Sequence, residues 1–290
     1  MRRVNKPGKR APTPVQTVRA IYRKLSRNWG PQHWWPAETP FEVIVGAVLT
    51  QNTSWTNVER AMANLRAAGG LSVDGIRELA IGELEQLVRP SGYFRQKAQR
   101  LKDFVTFLDT QYGGSLEAMF SVSTPRLREE LLAQKGIGSE TADSILLYAG
   151  HHPIFVVDAY TRRVLERHDA IGSKAQYDEI RLLVEQALQT SPISPIAGGV
   201  TFDPQRPPVH PPSAMSTASK PVLTQTYNEM HGLFVQLGKH YCAKGNPKCD
   251  ICPLGSMLIH PVLTKSRPRT RRQTTGIEQS ASATSTKPRV

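Results

Sequence analysis

The chain has 290 residues, with 37 Lys and Arg against 24 Asp and Glu for a formal charge of +13, and with 22 Pro, 21 Gly and 3 Cys. That length allows one large domain or two ordinary ones, and 39% hydrophobic residues exclude disorder along the whole chain. Apolar runs fall short of the roughly 18 residues a membrane span needs, three cysteines build no disulfide framework, and no signal peptide precedes them. The expectation is a soluble, monomeric cytoplasmic protein with no membrane partner, a nuclear or mitochondrial address being left open.

The basicity sits at the ends. Residues 1–28 hold nine Lys or Arg and no acid, and residues 260–290 hold seven against Glu278, which leaves the middle slightly acidic. Such tails favour polyanions, because neutralising a phosphate releases counterions. A solubilising tail without a partner has the same composition. An acid-free, Arg-rich start also suits an organelle transit peptide, which its scattered prolines oppose. Residues 1–28 and 259–290 are read as disordered basic tails.

Between them the apolar spacing predicts helices over 40–51, 56–69, 73–88 and 95–113. A further helix is predicted over 124–134, with Thr124 as cap and Pro125 at the first helical position. Helices over 139–150, 158–168 and 177–188 follow, and residues 152–158 (HPIFVVD) are the best strand candidate. The pattern then collapses. Eight prolines fall within residues 190–221, so 190–223 is read as a disordered insertion. Helix resumes over 224–241, and a Cys-containing loop covers 242–258.

Two segments can carry chemistry. In LLAQKGIGSETADSILLY (131–148) a tight hairpin containing Lys135, Gly136 and Gly138 joins two helices. The glycines permit positive φ and close backbone approach, and the free N–H groups from Ser139 onward suit a phosphate oxygen. An ordinary αα-hairpin turn uses glycine equally well. Some twenty residues on, Asp158 closes the apolar run of HHPIFVVDAYTRRVLER (151–167). It is either a plain helix N-cap or a partly buried carboxylate facing a cleft.

GIGSETA followed by VVDAYTRRVL resembles the helix-hairpin-helix, Gly/Pro, Asp superfamily of DNA glycosylases typified by endonuclease III. FEVIVGAVLTQNT (41–53) is similar to its first barrel helix, and Cys242, Cys249 and Cys252 to three of the four ligands in its iron–sulfur loop. HWWP (33–36), AVLTQNTSW (47–55), VRPSGYFRQKAQRL (88–101) and QKGIGSETADSIL (134–146) are closest to the bacterial 3-methyladenine glycosylase of the endonuclease III type. The resemblance implies an all-α, two-lobed fold. A six-helix barrel over 40–150, with its helix-hairpin-helix at 124–150, faces a second lobe made from 29–39 and 151–258.

It also implies roles. Asp158 would serve the sugar and the water in glycosidic hydrolysis. Glu140 stands where bifunctional relatives have a nucleophilic lysine; it either contacts the base or merely marks that loss. A carboxylate forms no Schiff base, so strand cleavage is not expected. Trp55 would stack on the excised base, and Trp34, Trp35 and Pro36 would line its pocket, unless Trp34 and Trp35 simply pack the core. Gln51 would fill the hole left by a flipped base, or be a surface glutamine. The implied partner is double-stranded DNA carrying damaged bases, and the chemistry requires no cofactor.

The cysteine loop departs from the pattern, because the fourth ligand position is Leu258. His240 or His260 would have to complete a [4Fe–4S] or zinc site, or the metal is absent. The modified lysine of the 3-methyladenine branch is also missing, since His231-Gly232 is followed by Leu233. Two other readings stay open: an endonuclease III-like enzyme for oxidised pyrimidines or mismatches, and a non-catalytic DNA-binding module.

Overall fold

The computed structural model describes residues 11–189 and 210–258. Among them there is helix and no strand, and no helix is long and apolar enough to cross a membrane. The expected tails at 1–10 and 259–290, the stretch 190–209 and the candidate ligand His260 lie outside the described residues.

The first helix corrects the expected N-terminal tail. α1 spans Pro14–Trp29, started by a capping box between Thr13 and Gln16 and ended at Gly30 (φ 65°). Val18, Ile21, Tyr22, Leu25 and Trp29 recur at helical spacing and are fully buried. The cations that suggested a tail occupy the other face; Arg19 reaches over the edge and donates to the Ala187 carbonyl at 2.7 Å.

α2 (Pro40–Leu49) is apolar almost all round and runs through the core, its start capped by Thr39. α3 (Trp55–Ala67) follows. The single helix expected over 73–88 is two, α4 (Val73–Glu78) and α5 (Ile81–Leu87), broken where Leu79 turns to ψ 131°. α6 (Phe94–Tyr112) and the short α7 (Leu116–Phe120) lead into α8 (Thr124–Leu132). Ser123, not Thr124, holds the cap position of α8, and the Thr124 hydroxyl instead meets His152 Nδ1 at 2.9 Å.

α9 (Ser139–Ser144) runs on into a buried π-helical turn, Ile145–Ala149. Residues 152–158 form no strand, because no neighbouring strand offers a ladder. Side chains satisfy their amides instead: Phe155 N–H donates to Glu185 at 3.0 Å, and Val157 N–H to the Tyr177 hydroxyl at 3.2 Å. α10 (Ala159–Arg167), α11 (Tyr177–Gln189), α12 (Ala214–Thr217) and α13 (Val222–His240) follow. Part of the expected disordered insertion is therefore ordered: a Ser213–Ser216 capping box starts α12, and α13 begins at Val222.

Helices α2 to α9 pack among themselves, and α1, α10, α11 and α13 form a second group. α13 meets the π turn between the groups. That contact sets the position of the cleft.

Candidate active site

The hairpin between α8 and α9 is pinned from below. Arg128 on α8 donates to both oxygens of Asp143 on α9, at 2.7 and 3.2 Å, and to Asp178 at 2.9 Å. Asp143 has no solvent exposure, so this pair holds a buried charge. At the tip Gly136 takes φ +84°, a conformation L side chains rarely adopt. Gly138, the α9 cap, has an ordinary φ of −96°, contrary to the expectation of positive φ at both glycines. An added Cβ at Gly138 would meet nothing within 4 Å, so no packing inside the protein calls for glycine there. Lys135 and Gly138 are exposed, and Ser139 is partly exposed at the start of α9.

Asp158 is an N-cap whose charge also reaches Glu140 on the hairpin. Its Oδ1 accepts from Thr161 N–H at 2.7 Å, which fixes the carboxylate at the positive end of α10. Its Oδ2 makes no hydrogen bond among the described residues and stands 3.7 Å from His231 Nε2. The Asp158 side chain keeps 12% of its surface exposed. Burial holds His231 below the usual histidine range, Asp158 opposing the shift.

Glu140 stands in the first turn of α9. It is open to water yet crowded by protein, and that desolvation, followed by the charge of Asp158, pushes its carboxyl up to about 7. The Glu140 carboxyl is thus partly protonated at neutral pH. Glu140, Gln51, Arg100, Gly136 and Thr141 line a cavity of about 290 Å³.

Behind the carboxylates lies an aromatic cluster. Trp34 and Trp35 are 5.5 Å apart, and Trp55 packs against them at 6.4 and 5.2 Å. Tyr148 lies 5.3 Å from Trp35, and His231 lies 6.1 Å from Trp34. Pro36 is half-buried beside Trp35. Trp34 Nε1 faces the Tyr148 hydroxyl without hydrogen-bonding geometry, and both His231 ring nitrogens are buried without a hydrogen-bond partner.

The tryptophan loop is held from two sides. Gln32 N–H donates to Glu229 on α13 at 2.8 Å, and a Cβ at Gly232 would approach Trp34 to 3.1 Å. From the segment before α12, Ser213 Oγ accepts from Ala37 N–H at 3.2 Å, while Met215 N–H donates to the Ala37 carbonyl at 3.0 Å. The spacing pattern gave no sign of His210, which lies 5.3 Å from Trp34, or of Lys239, whose Nζ stands 5.8 Å from the same ring.

Two further residues escaped the sequence reading. Lys97 is 1% exposed and donates to the carbonyls of Leu49 at 2.8 Å and Ser91 at 2.7 Å, burial pushing its ammonium down to about 8. It occupies the apolar stripe of α6, an anomaly visible in the sequence. Arg100, one turn on, donates to Gln51 and left no such mark.

Cys242, Cys249 and Cys252 line a space of only about 20 Å³ with Leu254 and Leu258. Arg167 donates to Cys242 Sγ at 3.0 Å, and His240 does not line the space. Leu258 has no lone pair to offer, and among the described residues no three His, Cys, Asp or Glu side chains are grouped to hold a metal ion. Among the described residues the three thiols do not make up a four-thiolate site, and His260, the remaining candidate for a fourth ligand, lies outside those residues.

Residues 45–190 match the model of the HhH-GPD superfamily of base excision DNA repair proteins. The chain belongs to that superfamily. A Methanocaldococcus jannaschii protein, MJ1434, provisionally named as a DNA repair glycosylase, is 40% identical over 240 residues, covering 82% of this chain and 94% of the relative. Thermotoga maritima endonuclease III is 24% identical over 238 residues, with 82% of this chain and 88% of that protein covered. The crystal structure of H. pylori 3-methyladenine DNA glycosylase (MagIII) bound to 1,N6-ethenoadenine superposes with a TM-score of 0.61 at 31% identity, covering 79% of this chain and 98% of that one. A non-covalent endonuclease III–DNA complex gives a TM-score of 0.61 at 19% identity, which speaks for the fold alone. The superfamily chain is thus a base excision repair DNA glycosylase with the all-helical endonuclease III-type fold.

Proposed function

We propose that this glycosylase is monofunctional, flipping an alkylated purine such as 3-methyladenine out of duplex DNA and hydrolysing its N-glycosidic bond without cutting the strand. The observation that carries this reading is the Oδ2 of Asp158, not used by the helix cap, which stands 3.7 Å from His231, itself packed against Trp34, while its charge reaches Glu140 on the hairpin. Flipping is needed because the glycosidic bond is out of reach inside the stack.

A ring-alkylated purine carries positive charge, leaves readily, and is attracted to aromatic faces. The enzyme then needs an anion beside the oxocarbenium-like sugar and a group to orient water. Asp158 supplies both, held in place by its own helix cap. Glu140, its carboxyl raised to about 7, keeps a protonated fraction at neutral pH that donates a hydrogen bond to the departing base beside Asp158. The hairpin, with Lys135, Gly136, Gly138 and Ser139, takes a backbone phosphate, and Trp34, Trp35, Pro36 and Trp55 receive the base. A carboxylate at position 140 cannot form the imine that β-elimination requires.

The test is base release from duplex DNA treated with a methylating agent. The expected result is free 3-methyladenine with strands intact until alkali, and no adduct with abasic DNA under borohydride. Release of oxidised pyrimidines instead, or a trapped adduct, would reject the reading.

A further inference from the structure

Gln51 is tied to three elements at once. Its Nε2 donates to Thr141 Oγ1 at 2.8 Å and to the Gly136 carbonyl at 3.1 Å, both on the hairpin side of the cleft. Its Oε1 accepts from Arg100 Nη1 on α6. Both amide hydrogens and a carbonyl lone pair are therefore engaged. The backbone just before it is fixed as well, because Lys97 binds the Leu49 carbonyl.

Arg100 is placed across the hairpin. A Cβ on Gly136 would lie 2.1 Å from Arg100 Nε, so the glycine leaves room for the guanidinium stem. Among the described residues Arg100 has no carboxylate partner. Its charge instead bears on Lys97, whose ammonium it helps to push down. Glu140 lines the same 290 Å³ cavity, yet the charge acting on its carboxyl is Asp158 and not Arg100. A guanidinium bound to a neutral amide, beside a second cation, is an incomplete arrangement. Arginine's stronger partner is an anion such as a phosphate oxygen.

We propose that Arg100 is a positioning residue for Gln51, stowing its carboxamide against the hairpin in the free enzyme and exchanging it for a DNA phosphate when duplex binds. This rests on the reading of the chain as a base-flipping glycosylase in which Gln51 enters the duplex. The exchange couples two events. Gln51 leaves when Arg100 finds a phosphate, so the glutamine is released where DNA is already seated.

The experiment is fluorescence anisotropy of a duplex carrying a non-cleavable abasic analogue, titrated with full-length protein over a range of NaCl concentrations. Wild type, Arg100→Ala, Arg100→Lys, Gln51→Ala and the double variant Arg100→Ala/Gln51→Ala are compared. One phosphate contact contributes about 0.9 to the slope of log K against log salt. The Arg100→Ala slope should be shallower by about that amount, with Gln51→Ala and Arg100→Lys unchanged. Losing Arg100 should also weaken binding more in the Gln51→Ala background, where no Arg100–Gln51 bond has to break first.

An Arg100→Ala slope equal to wild type overturns the proposal, as does an equal affinity loss in both backgrounds. Should Arg100→Ala melt early, Arg100→Gln keeps the stem, removes the charge and must give the same shallower slope. A wild type that binds no duplex overturns both the exchange and the function on which it rests. Normal binding with an unaltered slope overturns the exchange alone.

Discussion

His231 Nε2 stands 3.7 Å from Asp158 Oδ2, close enough to feel its charge and too far to hydrogen-bond with it. His231 is buried, and desolvation keeps its ring toward the neutral form. The Asp158 oxygen that a helix cap does not use is therefore not neutralised by a permanent ion pair. A carboxylate kept available in this way suits a passing positive charge on a sugar better than a static salt bridge would.

Asp158→Asn should preserve the fold, since asparagine caps helices as well as aspartate does. Turnover should fall by about 100-fold or more, the usual cost of losing such a group. Single-turnover base release alongside a DNA-binding titration checks this. Unchanged release would remove Asp158 from the chemistry.

Glu140 should give the rate an alkaline limb. Its carboxyl is raised to about 7, so it is mostly protonated below that pH and ionised above it. Base release should decline as pH rises through about 7, whereas Glu140→Gln, neutral throughout, should stay flat across the same window. A wild-type profile without that limb would show that the protonated form is not used.

Glu229 predicts a pH-dependent stability. Burial raises its carboxyl from 4.5 to about 7, even though it accepts from Gln32 N–H and Gln225. The folded state thus holds a proton that the unfolded state loses first, so stability falls as pH climbs from about 4.5 through 7. The melting temperature of wild type relative to Glu229→Gln should drop over that interval. A constant difference would refute the raised value.

The Arg128–Asp143 pair should matter more for stability than exposed pairs such as Arg126–Glu130. Asp143 is fully buried, and Arg128→Met would strand its charge. The expected loss is about 3 kcal/mol. Arg126→Met should cost under about 1 kcal/mol, because Arg126 is 69% exposed in its pair. Urea unfolding of both variants makes the comparison.

The hairpin glycines, Asp158 and the tryptophans could be read from the sequence because each belongs to a short local pattern. The same locality explains the misreadings. Arg-rich composition hid the apolar stripe of α1, whose buried residues are spread three and four apart among the cations. The run Ile154–Val157 has strand composition but no neighbouring strand, so Glu185 and Tyr177 take over its hydrogen bonding. Arg100 with Gln51, and Ser213 with Ala37, are contacts across 49 and 176 positions. No window of sequence contains both partners.

The last of these contacts bears on how the protein is made. Trp34 and Trp35 emerge from the ribosome early, but the groups that hold their loop, Glu229, Gly232, Ser213 and Met215, are synthesised far later. A nascent chain with α2 to α9 already complete would still lack the supports of this loop. Two large indole surfaces would stay without their final cover until α13 has been made and packed, so the order of synthesis leaves this cluster among the late features of the fold to form.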